Sequence, residues 1–200
     1  MEVKLPHRTT PVVAPGPAAR DWSPEQIWDE FRKGSELAFT ALYKRYVTDL
    51  YHYGERLTDD KQLIEDSIHD LFVELWRQRA SYKPVLRLKF YLLKSFRNRL
   101  MKNLRKSRWT TQKNAGDQYD IELLLAPGHL NAEPDALPDE LPHLRKRIDG
   151  LSPREKQAIV LRFYDGLTYD EIASLMTIST RSVYKLMYRA LASLKRALAM

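Results

Sequence analysis

Arg181, Ser182, Tyr184, Lys185, Tyr188 and Arg189 crowd into the stretch 181–189 near the carboxyl end of the chain. Arginine and lysine donate to guanine edges or phosphate oxygens, serine donates or accepts, and tyrosine touches phosphate or a thymine methyl. The chemistry these residue types offer is recognition of a nucleic acid. A solvated basic face on an ordinary bundle helix is the plainer alternative.

A second concentration of charge precedes them. Between Leu75 and Gly116 there is no acidic residue, while Arg77, Arg79, Lys83, Arg87, Lys89, Lys94, Arg97, Arg99, Lys102, Arg105, Lys106, Arg108 and Lys113 are all basic. A solvated helix usually mixes signs to gain pairing at three- and four-residue spacing, and within this run such pairing is impossible. It reads as a phosphate-tracking surface. Tyr82 and Trp109 are candidates to stack on exposed bases, and Phe96 is expected in the core. Immediately upstream the balance reverses: Glu55, Asp59, Asp60, Glu65, Asp66, Asp70 and Glu74 face only Arg56 and Lys61. Asp59 and Asp60 favour a helix start through the macrodipole. The later acids lie in mid helix, where they would repel DNA, and they read as a protein-docking surface, with simple solvation as the alternative.

Catalysis finds little support. His7, His52, His69, His129 and His143 are scattered with no metal-ligand spacing, and the absence of cysteine removes thiol nucleophiles, disulfides and Cys-based zinc sites. No metal, no cofactor and no enzyme activity are expected. A net charge of +7 favours an anionic partner, although charge also serves solubility. The first twenty residues lack the apolar core of a signal peptide, and no segment approaches the roughly 20 apolar residues that cross a bilayer. A cytoplasmic protein without membrane insertion is expected.

The elements that must position these residues are all helical. Residues 1–21, rich in proline and alanine, read as a disordered tail. Ser23, Pro24 and Gln26 form a capping signal for a first helix carrying Ile27, Trp28 and Phe31, which Gly34 stops. Apolar residues at three- and four-residue spacing predict helices over 35–53 and 60–79, the latter with Ile64, Ile68, Leu71, Phe72, Leu75 and Trp76 inward. A fourth is predicted over 88–108, after a break at Pro84, which disfavours helical geometry at Lys83. Residues 110–138, with prolines, glycines and an acidic excess, read as a linker. Beyond it, Leu141, Leu144, Ile148 and Leu151 suggest a short helix. Ser152 and Glu155 then cap one ending at Gly166, and Thr168 and Glu171 cap a short helix with the small Ala173.

The last helix is expected to start near Thr180. Val183, Met187, Ala190, Leu191, Leu194 and Leu198 would pack on one side, and Arg181, Lys185, Tyr188, Arg189 and Arg196 would lie on the other. A short capped helix, a turn of about four residues and a longer helix with a basic start is the layout of a helix-turn-helix. The fold expected is all-α: two small helical domains, 22–109 and 139–200, joined by a flexible acidic linker.

In this order the segments resemble the bacterial sigma-70 factors, specifically the small extracytoplasmic-function group that keeps only the second and fourth conserved regions. "LIEDSIHDLFVELWR" (63–77) looks like the family's polymerase-docking helix, with His69 and Asp70 where Gln and Glu are more usual. "FYLLKSFRNRLMKNLRK" (90–106) resembles the helix contributing to minus-ten recognition, with Phe90 and Tyr91 near the place of the usual Trp-Leu pair. Residues 151–195 are similar to the fourth region over its whole length.

The resemblance implies a promoter-specificity subunit. Core RNA polymerase would be the partner, through the clamp helices of its largest subunit and its flap, with Glu65, Asp66, His69, Asp70 and Glu74 docking on the clamp helices. Tyr82, Lys83, Arg87, Lys94, Asn98, Arg99, Lys102, Arg105 and Lys106 would capture and open the minus-ten element. Arg181, Ser182, Tyr184, Lys185, Tyr188 and Arg189 would read the minus-thirty-five element in double-stranded DNA. The linker would thread toward the RNA path, and an anti-sigma factor is a possible further partner. An autonomous helix-turn-helix regulator is the alternative: it would bind DNA tightly without polymerase.

Overall fold

A computed structural model describes residues 22–111 and 150–198. The tail, the linker beyond residue 111 and the helix expected around Leu141 to Ile148 lie outside the described residues. The chain forms two compact units, one up to Tyr51 and from Gln62 to Lys106, the other from His52–Lys61 and from Ser107 onward. Among the described residues every regular element is helical, and no helix is long and apolar enough to cross a membrane.

The first unit opens with α1 (Pro24–Arg32). The Ser23 hydroxyl accepts the Gln26 N–H at 3.2 Å, and the Gln26 side-chain oxygen accepts the Ser23 N–H at 2.8 Å, so the reciprocal cap forms as expected. Gly34 ends the turn at φ +95°, a conformation that strains any residue with a Cβ. Helices α2 (Glu36–Glu55) and α3 (Lys61–Gln78) follow, then a 3-10 turn (Arg79–Ser81) and α4 (Leu88–Thr111). Leu42, Leu50, Ile64, Leu75, Leu92, Leu93, Phe96 and Leu100 are essentially inaccessible to water. Burying each contributes about 1.5–3 kcal/mol against chain entropy. An aromatic layer joins α1 to α2 and α3: Phe39 lies 5.0 Å from Trp76 and 6.1 Å from Phe31 between ring centroids, and Trp28 lies 5.2 Å from Phe31.

The second unit contains α5 (Pro153–Ile159), α6 (Tyr169–Met176) and α7 (Thr180–Leu198). Ser152 donates through its N–H and its hydroxyl to one Glu155 carboxylate oxygen, at 3.0 and 2.7 Å. A feature that periodicity did not announce follows α5: Val160–Tyr164 widens into a π-helical turn, closed by the Asp165 N–H donating to the Val160 carbonyl at 3.0 Å. Gly166, at φ +68°, then turns the chain into the α6 cap. Between α6 and α7, Thr177 takes the left-handed conformation at φ 57°, and the Ile178 N–H closes on the Ala173 carbonyl at 3.1 Å. α7 packs on both α5 and α6, burying Val183, Met187 and Ala190.

Leu191 corrects the expected packing face, being 47% exposed. With eight residues, α6 is about 12 Å long and cannot cover one flank of α7 along its whole length. Thr168→Ala removes the hydroxyl that accepts the Glu171 N–H. It should cost about 1 kcal/mol, read as a lowered midpoint of thermal unfolding for the second unit.

Candidate nucleic-acid interface

Helix α4 offers a basic stripe because its exposed residues recur at helical spacing. Lys94, Asn98, Lys102, Arg105 and Lys106 face solvent, and residues three and four apart share one face. The Lys94 ammonium lies 5.6 Å from the Phe90 ring centroid. Arg97 does not join the stripe: it is 8% exposed, on the core side of the helix beside Phe96. Although α4 carries no acid, neighbouring helices partly supply the missing partners. Lys89 pairs with Asp49 of α2 at 2.9 Å, and Arg99 approaches Asp70 of α3 at 3.9 Å.

On α3, Glu65, Asp66, His69 and Asp70 are exposed and Glu74 is half-buried. Asp66 accepts from the Gln62 amide at 2.9 Å, and Glu74 accepts from Gln78. Beneath this face the Asn103 amide of α4 donates to the buried Ser67 hydroxyl at 3.0 Å, fastening the basic helix to the acidic one. Asp70 and Arg99, expected to serve different partners, thus meet at the seam between the two faces.

The chain between α3 and α4 holds Tyr82, Lys83 and Arg87. Lys83 and Arg87 are exposed, but Tyr82 is half-buried. Its ring packs at 5.6 Å on Trp28 and 6.2 Å on Tyr91, and burial together with Tyr91 pushes its hydroxyl up to about 12. Tyr82 packs into the protein's own aromatic cluster with part of its surface left to solvent. Leu86, at 89% exposure, is the apolar residue that this loop presents. No periodicity singles out a leucine between Val85 and Arg87 in a proline-containing loop, so sequence reasoning missed it. Trp109 lies where side chains are not described.

In the second unit Arg181, Tyr184, Lys185, Tyr188 and Arg189 of α7 are exposed and Ser182 is half-buried. The Ser182 N–H donates to the Ser179 hydroxyl at 3.2 Å and the two hydroxyls meet at 2.9 Å, so Ser182 also serves the first turn of its helix. Tyr184 packs on Tyr169 at 4.5 Å, and the Arg162 guanidinium lies 5.1 Å from the Tyr169 centroid while donating to the Leu167 carbonyl at 2.9 Å. The Thr180 hydroxyl donates to Asp170 at 2.8 Å. These contacts fix α7 against α6 while leaving Arg181, Lys185 and Tyr188 projecting. Phe163, 65% exposed within the π turn, is a surface residue the sequence reading did not foresee. Among the described residues no group of His, Asp and Glu is placed to hold a metal ion.

Capped α6, the tight turn and the basic α7 define a helix-turn-helix protein, with a separate four-helix unit that sets an acidic helix beside a basic one. Residues 42–110 match Sigma-70 region 2 and residues 143–194 match Sigma-70, region 4. The chain belongs to the sigma-70 family, in its extracytoplasmic-function (ECF) group. It is 26% identical over 164 residues to the ECF RNA polymerase sigma factor SigK of Mycobacterium sp. (strain KMS), covering 82% of this chain and 84% of that one. It is 27% identical over 151 residues to the RNA polymerase sigma factor CarQ of Myxococcus xanthus, covering 76% and 83%. In fold it is similar to CnrH, solved in complex with the cytosolic domain of CnrY, at a TM-score of 0.50 and 17% identity over 86% of this chain and 95% of that chain. It is also similar to RpoE, solved with the anti-sigma factor NepR from Bartonella quintana, at 0.50 and 20% over 81% and 97%.

Proposed function

We infer that this chain binds core RNA polymerase through α3, opens the minus-ten element with the 82–87 loop and α4, and reads the minus-thirty-five element with α7. The observation that carries the reading is the seam in the first unit, where an exposed acidic face on α3 adjoins the acid-free basic stripe of α4. A single DNA-binding surface would gain nothing from Glu65, Asp66 and Asp70 beside it, because like charges repel. A second, basic protein surface accounts for them. Lys94, Lys102, Arg105 and Lys106 then track the phosphates of the strand being opened, and Asn98 supplies a neutral donor and acceptor among them.

In the other unit the exposed start of α7 is suited to the major groove, with Arg181 and Lys185 near its amino end. Two DNA elements read by two units of one polymerase-bound chain give promoter selection its separation constraint. An anti-sigma factor that covers these faces is the further partner the family implies, and the similar RpoE is bound to one. Run-off transcription with core polymerase on genomic fragments tests the reading. Discrete transcripts should depend on adding this chain, and promoter-independent transcription only, with tight binding of the free chain to DNA, would replace it with an autonomous regulator.

A further inference from the structure

The 82–87 loop is held from outside its own neighbourhood. Two consecutive carbonyls accept hydrogen bonds from α1: the Trp28 indole N–H donates to Lys83 at 3.0 Å, and the Arg32 Nε–H donates to Tyr82 at 2.6 Å. A second Arg32 nitrogen donates to Asp29 at 3.2 Å, fixing the plane of the guanidinium. The Trp28 ring, 1% exposed, also packs at 5.6 Å on both Tyr82 and Tyr91. Tyr82 is extended at φ −72° and ψ 142°, and Lys83 precedes a proline, which favours the same geometry. Beyond Pro84, Val85 is half-buried and Leu88 is buried.

Between those two anchors Leu86 projects at 89% exposure, the most exposed of the large hydrophobic residues described. Singly exposed apolar residues are ordinary on mobile surface loops. This one is set on a loop bound at two successive carbonyls, between the exposed cations Lys83 and Arg87, in a stretch without acids. An apolar side chain on a rigid cationic loop is the arrangement by which proteins enter a base step and unstack it.

The geometry points to Leu86 as the side chain that enters the base stack where the promoter opens, with Trp28 and Arg32 of α1 as the positioning residues that aim its loop. This rests on the reading of α4 and its loop as the minus-ten surface. It adds to that surface a helix lying ahead of residues 42–110, the span that matches region 2. Trp28 and Arg32 act through the backbone of the loop, so their effect should appear in the opening step and not in docking.

The test uses holoenzyme reconstituted from core polymerase and the full chain, on a promoter that the wild-type chain selects. That promoter is supplied as a duplex and as a template already unpaired across the minus-ten element. Permanganate reactivity of unpaired thymines reports opening, co-purification reports docking, and thermal unfolding reports the fold. Leu86→Ala should lower opening of the duplex by about tenfold, the order expected when an unstacking wedge is removed. Leu86→Phe should retain opening, and transcription from the unpaired template should be near wild type for both. Trp28→Phe and Arg32→Lys should lower duplex opening severalfold with docking intact and be rescued by the same template.

If Leu86→Ala opens the duplex like wild type, Leu86 does not enter the stack. If it weakens co-purification and the unpaired template gives no rescue, Leu86 contacts protein instead. Full opening by both Trp28→Phe and Arg32→Lys would remove the positioning role of α1, as would equal losses on the two templates accompanied by a lowered unfolding midpoint. Should the wild-type chain fail to support promoter-dependent transcription at all, it is the minus-ten reading beneath the proposal that falls.

Discussion

A chain carrying Asp66→Lys and Asp70→Lys together should lose co-purification with core RNA polymerase while keeping its helical circular-dichroism signal. Both carboxylates are exposed on α3, so the fold has little invested in them. Asp66 accepts one hydrogen bond from Gln62, and Asp70 meets Arg99 at 3.9 Å with 52% of the Asp70 side chain and 30% of the Arg99 side chain exposed. Surface contacts of this kind contribute about 0–1 kcal/mol each. The same carboxylates facing a basic protein surface would be covered and desolvated, and reversing them sets like charges against each other across the interface. A loss of several kcal/mol follows, a hundredfold or more in affinity. Glu30→Lys provides the control for charge reversal elsewhere on the same unit, since Glu30 lies on α1 and pairs with Lys33 at 2.7 Å. Its co-purification should be unchanged. Equal retention of the doubly reversed chain and this control would take polymerase docking away from α3.

The helices were legible because each buries a stripe that its sequence spells out at three- and four-residue spacing. Ser23 with Gln26 and Thr168 with Glu171 mark starts through local hydrogen bonds that need no tertiary context. Distant neighbours decided the rest. The fate of Tyr82 depends on Trp28 and Tyr91, and the burial of Arg97 on the packing of α4. Pattern within one helix assigned Leu191 to the packed side, but coverage is a property of the partner, and α6 is short. The π turn at Val160–Tyr164 changes hydrogen-bond register without changing composition, and its residues read as ordinary helix. Leu86 was invisible for a related reason. Its exposure is set by where α1 holds the loop, and the residues of α1 lie more than fifty positions away. The candidate site was therefore readable as charge, on α3, α4 and α7, and unreadable wherever an aromatic or apolar side chain had to be placed by another element.

Charge alone does not distinguish reading a base from holding a phosphate, and α7 contains candidates for both. Arg181 and Lys185 are exposed one turn apart near its amino end, the part of a reading helix that comes closest to base edges. An arginine can present two parallel donors to guanine, so Arg181→Ala should cost about 1–3 kcal/mol and relax selectivity at one upstream base pair. Lys185→Ala and Arg189→Ala should instead weaken all promoters alike, each reducing the salt dependence by about one ion. Tyr184→Phe should leave α7 seated on α6, because the ring packed at 4.5 Å on Tyr169 is retained. Val183 is wholly buried where α7 packs into its unit. Val183→Asp places an unpaired carboxylate in that core and should unfold the second unit, abolishing upstream dependence along with its helical signal. Transcription by holoenzyme from promoters mutated one base pair at a time, at two salt concentrations, separates these outcomes. If Arg181→Ala and Lys185→Ala both leave upstream dependence unchanged in a folded unit, α7 carries a solvated basic face, and promoter choice rests on the first unit alone.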